Sequence, residues 1–255
     1  MSEPLSLDLG LSRPPWPHQS EEWAASAGMN ERLLRWDMGI GKTTTGVGWL
    51  RLKYRQFGMQ PTLIFAPLST LPGWLREFKL NSPEKVHSGV VIAAGQGKKK
   101  MSGKQRAALI LDEKSEIVLT NYESLNMPDV LLAMQKRGFK AIILDEIHRI
   151  KNPQSKRFKS LISFSDRATF RLGLTGTLIL KSYMDIWAPL RFLDKGKRFG
   201  KNFYSEFRNK YFVDLNADWK GAKAYPDWQP KPDIGPEIAA KLDSIMSDRT
   251  KETCL

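Results

Sequence analysis

The chain has 255 residues, of which 41% are hydrophobic and 26% charged. This balance excludes a disordered protein and provides a core for one large or two small domains. The formal net charge of +13 favours a polyanionic partner, nucleic acid first and a membrane surface second, over a surface that is basic for solubility alone.

Targeting and cross-linking signals are few. The single cysteine, Cys254, excludes an internal disulfide. No apolar run approaches the roughly 20 residues that cross a bilayer, and the first residues lack the apolar core of a signal peptide. We therefore expect an intracellular, soluble protein without a membrane partner, in the cytoplasm, the nucleoid or the nucleus, with a viral protein in a host cytoplasm as an open alternative.

Predicted strands alternate with predicted helices along the chain. Helical patterns begin near His18, Gly41 and Leu71. The predicted strands are short apolar runs: Leu33–Trp36, Thr62–Ala66, Val90–Ala94, Glu116–Thr120, Ala141–Leu144 and Phe170–Leu174. Such alternation is typical of βαβ units and predicts an α/β fold, with a mostly parallel central sheet that carries helices on both faces.

A glycine-rich turn follows the first predicted strand. Glycines at 39 and 41 permit a tight loop whose backbone N–H groups point at a phosphate, and a helix N-terminus adds positive potential. In such a loop Lys42 neutralises the terminal phosphates and the Thr43 hydroxyl binds Mg²⁺. Trp36 stands where the strict loop spacing has glycine. The predicted nucleotide-binding residues of the loop are Met38, Gly39, Ile40, Gly41, Lys42, Thr43 and Thr44.

An acidic pair follows the predicted strand Ala141–Leu144. Asp145 is placed to hold Mg²⁺ or its water at the strand end. Glu146 is placed to orient and deprotonate an attacking water. Together with Lys42, these residues predict a magnesium–ATP site with Glu146 and Lys42 as its catalytic residues.

The ordered set of motifs resembles the Swi/Snf-type branch of superfamily two helicases. The segments that carry the resemblance are Pro17–Gln19, Trp36–Thr43, Leu63–Phe78, Thr120–Glu123, Asp145–Pro153, Leu172–Leu193 and Asp248–Lys251. The resemblance implies a RecA-like ATP-binding lobe in residues 1–195. Residues 196–255 would form a helical protrusion, with Asp214–Pro232 largely irregular, and the start of a linker to a second lobe.

The resemblance also implies roles for single residues. Gln19 would contact adenine. The nucleic-acid phosphates would be contacted by Ser69, Thr70, Asn121 and Tyr122. Coupling between ATP hydrolysis and movement of the lobes would involve His148, Thr175 and Thr177. For Gln19, Ser69, Thr70 and His148, the alternative is an ordinary structural role in a helix cap, a turn or the lobe surface.

Three functions remain open from the sequence. The first is the N-terminal motor lobe of an ATP-dependent duplex-DNA translocase, which binds ATP and Mg²⁺ but hydrolyses ATP weakly alone, because the arginine fingers of such motors come from the second lobe. The second is a lobe of an RNA or single-strand helicase. The third is a non-hydrolysing module that binds nucleic acid or a protein partner.

Overall fold

The computed structural model describes residue 9 and residues 11–82, 89–95, 100–178, 182–200, 204–217 and 225–254. Its strands are β1 (Glu31–Trp36), β2 (Thr62–Phe65), β3 (Val90–Ile92), β4 (Ile117–Thr120), β5 (Ala141–Asp145), β6 (Phe170–Thr175), β7 (Phe212–Asp214), β8 (Trp228–Pro230) and β9 (Met246–Arg249). Seven of them form one parallel sheet in the order β3-β4-β2-β5-β6-β1-β9. The predicted α/β fold with a parallel central sheet is confirmed, and all six predicted strands are present.

Helices connect the strands and cover both faces of the sheet. They are α1 (Pro17–Ser26), α2 (Lys42–Phe57), α3 (Leu71–Asn81), α4 (Gly103–Leu111), α5 (Pro128–Arg137), α6 (Lys156–Ser165), α7 (Trp187–Asp194), α8 (Tyr204–Tyr211), α9 (Ile234–Asp243) and α10 (Lys251–Cys254). Short 3₁₀ turns are formed by Tyr122–Asn126, Ile147–Ile150 and Tyr183–Ile186. None of the helices in the described ranges is long and apolar enough to cross a membrane.

Alternating strand residues supply two apolar cores. On one face, Leu34 and Ile64 pack with Trp23, Trp49 and Trp74 from α1, α2 and α3. On the other face, neighbouring strand residues pack with the later helices of the chain. Because strands that are covered on both faces bury every side chain, they appear in the sequence as continuous apolar runs.

The strand β9 was not predicted. The predicted series of strands ends at Phe170–Leu174, whereas β9 pairs in parallel with β1 and extends the sheet by one strand. Its sequence, Met246-Ser-Asp-Arg249, is mostly polar because only the side chain of Ser247 is buried. The segment 196–255 therefore returns to the sheet of the first 195 residues, and a domain boundary at residue 195 stays a prediction.

The segment Asp214–Pro232 also contains more order than predicted. The strands β7 and β8 pair as an antiparallel hairpin at its two ends. Residues 218–224, between these strands, lie outside the described residues. The guanidinium carbon of Arg208 lies 4.1 Å from the ring centre of Trp228, so that a cation–π contact attaches the hairpin to α8.

Candidate active site

A cleft of about 350 Å³ opens beyond the carboxyl ends of β1, β2 and β5. In a parallel α/β sheet, this edge is the usual position of a ligand. The structure brings the predicted phosphate loop and the predicted acidic pair into this one cleft. Its lining residues are Met38, Gly39, Gly41, Lys42, Thr43, Thr44, Thr70, Glu77, Asp145 and Glu146.

The loop between β1 and α2 has the backbone conformation of an anion cradle. Gly39 and Gly41 have φ values of 91° and 81°, in the left-handed region that side chains disfavour. The fully buried side chain of Ile40 anchors the loop in the core, and His18 Nε2 lies 3.0 Å from the carbonyl oxygen of Ile40. Since α2 begins at Lys42, its first N–H groups and its positive dipole end face the cleft.

The Lys42 ammonium closes the loop onto itself. It donates hydrogen bonds to the carbonyl oxygens of Trp36 at 2.7 Å and Asp37 at 2.8 Å. Burial lowers the pKa of Lys42, and the charges of Glu146 and Asp145 oppose that shift. A cation held between the loop and two carboxylates is a suitable counter-charge for a polyphosphate.

Asp145 is the last residue of β5 and is only 7% exposed. Its Oδ2 accepts a hydrogen bond from Trp74 Nε1 at 3.0 Å and one from the Thr70 hydroxyl at 3.4 Å. Burial raises the pKa of Asp145, while the bond from Trp74 lowers it. The carboxylate is thus oriented by two donors, and a bound cation would favour its charged form further.

Glu146 is held by a cluster that also contains His148 and Thr175. Glu146 Oε2 lies 3.3 Å from His148 Nδ1 and 3.3 Å from the Thr175 hydroxyl. His148 Nδ1 is in turn 3.1 Å from that hydroxyl. The hydrogen bond from His148 holds the pKa of Glu146 below its ordinary value, so the group is an ionised acceptor at neutral pH. Its φ of 55° is a strained backbone state of the kind found at functional sites.

The same cluster continues into the loop after β6. The Thr175 hydroxyl lies 2.8 Å from the carbonyl oxygen of Thr177 and accepts the Thr177 N–H at 3.1 Å. All three predicted coupling residues are therefore connected to Glu146. His148 and Thr175 contact it directly, and Thr177 is connected through the bonds between its backbone and Thr175. Hydrogen bonds thus connect Glu146 to the loop after β6.

A second, smaller cleft of about 150 Å³ adjoins the phosphate loop. Gln19 lines it together with Trp16, and the two clefts share Gly41, Thr44 and Glu77. Gln19 Oε1 accepts the Trp16 N–H at 3.0 Å, and its Nε2 donates to the Gly41 carbonyl oxygen at 3.3 Å. Gln19 thus caps α1 and contacts the phosphate loop at once, and a role with adenine stays a prediction.

Comparison with known proteins decides the family. The family model described as the SNF2-related domain matches residues 18–253. The chain belongs to the SNF2-related domain family. The expected resemblance to the Swi/Snf-type branch of superfamily two helicases is confirmed, and the domain is a helicase-like ATPase core domain.

Relatives of this SNF2-related domain include chromatin-remodelling factors. It is 31% identical to the CHD3-type chromatin-remodeling factor PICKLE of Arabidopsis thaliana, over 84% of this chain and 16% of the relative. It is 36% identical to the ATP-dependent helicase brm of Drosophila melanogaster, over 68% of this chain and 10% of the relative. The chain therefore spans a small part of the length of these relatives.

A solved structure agrees with the fold of the SNF2-related domain. The SWI2/SNF2 ATPase core of Sulfolobus solfataricus, solved in complex with double-stranded DNA, superposes with a TM-score of 0.69 at 26% identity. The match covers 94% of this chain and 45% of the solved chain. The RecA-like fold of the ATPase core is thereby confirmed.

Two of the residues predicted to contact nucleic acid, Asn121 and Tyr122, have buried side chains. Tyr122 is fully buried, stacks on Phe65 with ring centres 5.6 Å apart, and donates its hydroxyl to the Asp145 carbonyl oxygen at 2.7 Å. Asn121 is 6% exposed, and its amide is engaged by neighbouring side chains such as Arg106. Their side chains are directed into the lobe, and a contact between this segment and a phosphate backbone stays a prediction.

The other predicted pair divides between two places. Ser69 is exposed after β2, and a nucleic-acid contact there stays a prediction. Thr70 lines the larger cleft, where its hydroxyl approaches Asp145. The hydroxyl therefore lies beside the predicted metal ligand Asp145, and its contact with nucleic acid stays a prediction.

Sequence reasoning missed two residues of α3. Trp74 donates its indole N–H to Asp145, and Glu77 lines both clefts and accepts the Thr44 hydroxyl at 2.9 Å. A signal was available, because both lie in the segment Leu63–Phe78 that carries the family resemblance, three residues apart on one helix face. The sequence alone did not show what they contact.

Proposed function

We propose that this SNF2-related domain binds magnesium–ATP in the cleft and is the N-terminal motor lobe of an ATP-dependent duplex-DNA translocase. The observation that carries the proposal is the convergence of Lys42 and Thr43 with Asp145 and Glu146 on one cleft at the carboxyl ends of the strands. A cation, a hydroxyl and two carboxylates at a helix N-terminus are the donor set that a magnesium–nucleotide requires.

Each group of this set has a distinct task. The Asp145 carboxylate and the Thr43 hydroxyl would hold Mg²⁺, whose charge neutralises the phosphates when it is bound. Lys42 would exchange its bonds to the loop carbonyls for bonds to the terminal phosphates of ATP. Glu146, ionised and oriented by His148 and Thr175, would accept a proton from the attacking water.

Duplex DNA is the proposed partner. The formal net charge of +13 supports a polyanion. The double-stranded DNA in the similar archaeal ATPase core supports a duplex in particular. Binding would be dominated by phosphates, and therefore sensitive to salt and largely independent of sequence.

A second RecA-like lobe, in the same or another chain, is part of the proposal. The family resemblance implies that this lobe supplies arginine fingers, which raise turnover about 10³- to 10⁵-fold in related phosphate chemistry. The domain by itself would bind ATP and hydrolyse it slowly.

The test measures ATP affinity and phosphate release from magnesium–ATP for the purified chain, with and without duplex DNA, beside Lys42→Ala. We expect ATP binding that is lost in Lys42→Ala, and weak turnover with or without DNA. Strong DNA-stimulated turnover that Lys42→Ala abolishes would contradict the need for a second lobe. Absence of ATP binding would contradict the whole proposal.

Two further measurements separate the alternatives. Tighter binding of RNA or single-stranded DNA than of duplex DNA would favour an RNA or single-strand helicase lobe. Turnover that Glu146→Gln leaves unchanged would favour a non-hydrolysing binding module, because Glu146 would then have no part in the reaction.

A further inference from the structure

The larger and the smaller cleft of the active site meet at three residues, Gly41, Thr44 and Glu77. The larger cleft contains the groups suited to phosphates and Mg²⁺. The smaller one contains Gln19 and the exposed indole of Trp16, which suit a purine base. Since the ribose of a nucleotide connects its base to its phosphates, a nucleotide that fills both clefts places its ribose at their junction.

Helix α3 runs alongside both clefts, from the larger towards the smaller one. Trp74 contacts Asp145 at the metal end. Glu77, about one turn further on, contacts Thr44. Asn81, another turn on, lines the smaller cleft. Glu77 therefore lies where the two clefts meet, beside Thr44, the second residue after the loop lysine.

The hydrogen bonds of Glu77 leave one oxygen for a ligand. Its Oε2 accepts the Thr44 hydroxyl and the Asn81 Nδ2–H, both at 2.9 Å. Among the residues that the structure describes, both donors bond this one oxygen, so Oε1 has no donor there. The side chain is half-buried and its position is fixed by these two bonds. A fixed carboxylate oxygen accepts hydrogen bonds and donates none, and ribose hydroxyl groups are donors.

We propose that the Glu77 carboxylate recognises a ribose hydroxyl group of the bound nucleotide, so that the domain prefers nucleotides with an intact ribose to those that lack the 2′- or the 3′-hydroxyl. This inference rests on the proposed nucleotide site and adds a specificity-determining residue to it. A hydrogen bond to a charged group discriminates strongly, because the analogue without the hydroxyl leaves the carboxylate desolvated and unpaired.

The test compares the affinities of ATP, 2′-deoxyATP and 3′-deoxyATP for the whole chain with Mg²⁺, by calorimetry. We expect the unmodified chain to bind ATP about tenfold or more tightly than at least one deoxy analogue, which also identifies the hydroxyl. In Glu77→Gln, ATP affinity should fall towards that of the analogue, whose own affinity should change little. If Glu77→Gln does not fold, as judged by circular dichroism, Glu77→Asp takes its place.

The variant Thr44→Val provides a graded comparison. It removes one of the two bonds that fix Glu77 but leaves the carboxylate and its bond from Asn81, so the preference for ATP over the deoxy analogue should be smaller than in the unmodified chain but larger than in Glu77→Gln. Equal binding of the three nucleotides to the unmodified chain would overturn the inference and leave the proposed function intact. Equal weakening of all three in Glu77→Gln would reduce Glu77 to a positioning residue of the loop. Absence of any nucleotide binding would overturn the proposed function itself.

Discussion

The indole N–H of Trp36 donates a buried hydrogen bond of 3.0 Å to the Ser247 hydroxyl. This bond joins the last residue of β1, where the phosphate loop begins, to β9. The Asp37 N–H donates to the Arg249 carbonyl oxygen at 3.0 Å, and the Lys251 N–H donates to Asp37 Oδ2 at 3.0 Å. The start of the loop is thus held by the segment around β9.

Removal of the Ser247 hydroxyl should destabilise the domain. In Ser247→Ala, the buried Trp36 N–H loses its acceptor, so the free energy of unfolding should fall by about 1–3 kcal/mol. The control is Asp248→Asn, which breaks the ion pair with Arg35. Because that pair is about 40% exposed, its loss should cost about 0–1 kcal/mol. Urea unfolding measures both, and a larger effect of Asp248→Asn would contradict this ranking.

Replacement of Trp74 by phenylalanine should weaken magnesium–ATP binding. The change keeps most of the ring packing but removes the N–H donor to Asp145, and a bond to a charged group of this kind is worth about tenfold in affinity or more. Trp49→Phe is the matched control. Its buried Nε1 has no hydrogen-bond partner in the described part of the chain, so it should leave affinity unchanged. Equal affinities of the two variants would argue against a role for the Trp74 N–H.

Replacement of Thr175 by valine should slow hydrolysis without weakening ATP binding. Valine has nearly the same shape but loses the hydroxyl that contacts Glu146, His148 and Thr177. We expect single-turnover phosphate release to fall about tenfold, less than the roughly 10²- to 10⁴-fold effect of a catalytic base itself, because Thr175 only positions Glu146. Thr62→Val removes a buried hydroxyl at the opposite end of the sheet and serves as the control. A loss of ATP affinity in Thr175→Val would instead indicate a role in nucleotide binding.

Lys53 should make stability depend on pH in the alkaline range. Its side chain is 1% exposed, and burial lowers its pKa from 10.5 to about 8. Between these two values the unfolded chain binds more protons at Lys53 than the folded chain does, so the contribution of this site to the free energy of unfolding rises with pH. Lys53 is fully charged in both states below this range, and the rise is complete above it.

The comparison with Lys53→Met isolates this contribution. The difference in free energy of unfolding, unmodified chain minus variant, should increase by up to about 1.4 kcal/mol per pH unit within the range. Urea unfolding at several pH values across it provides the measurement. A difference that stays constant would mean that Lys53 titrates alike in both states.

The sheet could be predicted wherever its strands are buried. Runs such as Leu63-Ile-Phe65 and Ile142-Ile-Leu144 are apolar throughout because both faces of the sheet are covered. The edge strand β9 has no such pattern. It is fixed by backbone pairing with β1, more than 200 residues earlier. Pairing between segments so far apart in the chain leaves no pattern in the local sequence.

The residues of the candidate site also divide into those that a local motif predicts and those that depend on distant contacts. Lys42, Thr43, Asp145 and Glu146 are recognised by spacing, since a phosphate loop and a strand end are local structures. Contacts that depend on packing between distant segments were not predictable. The bond from Trp74 to Asp145 spans 71 residues. The burial of Tyr122 follows from its position over Phe65, between α6 and the sheet, rather than from its own neighbours in sequence.

The order of the strands also constrains assembly of the site. Although β1 is the first strand of the chain, it lies between β6 and β9, which come last in sequence. During synthesis the strand that precedes the phosphate loop can gain its first neighbour only after residue 170, and its second only after residue 246. Pairing of such high contact order is slow. Nucleotide affinity would accordingly be acquired late, only after all strands of the sheet have paired.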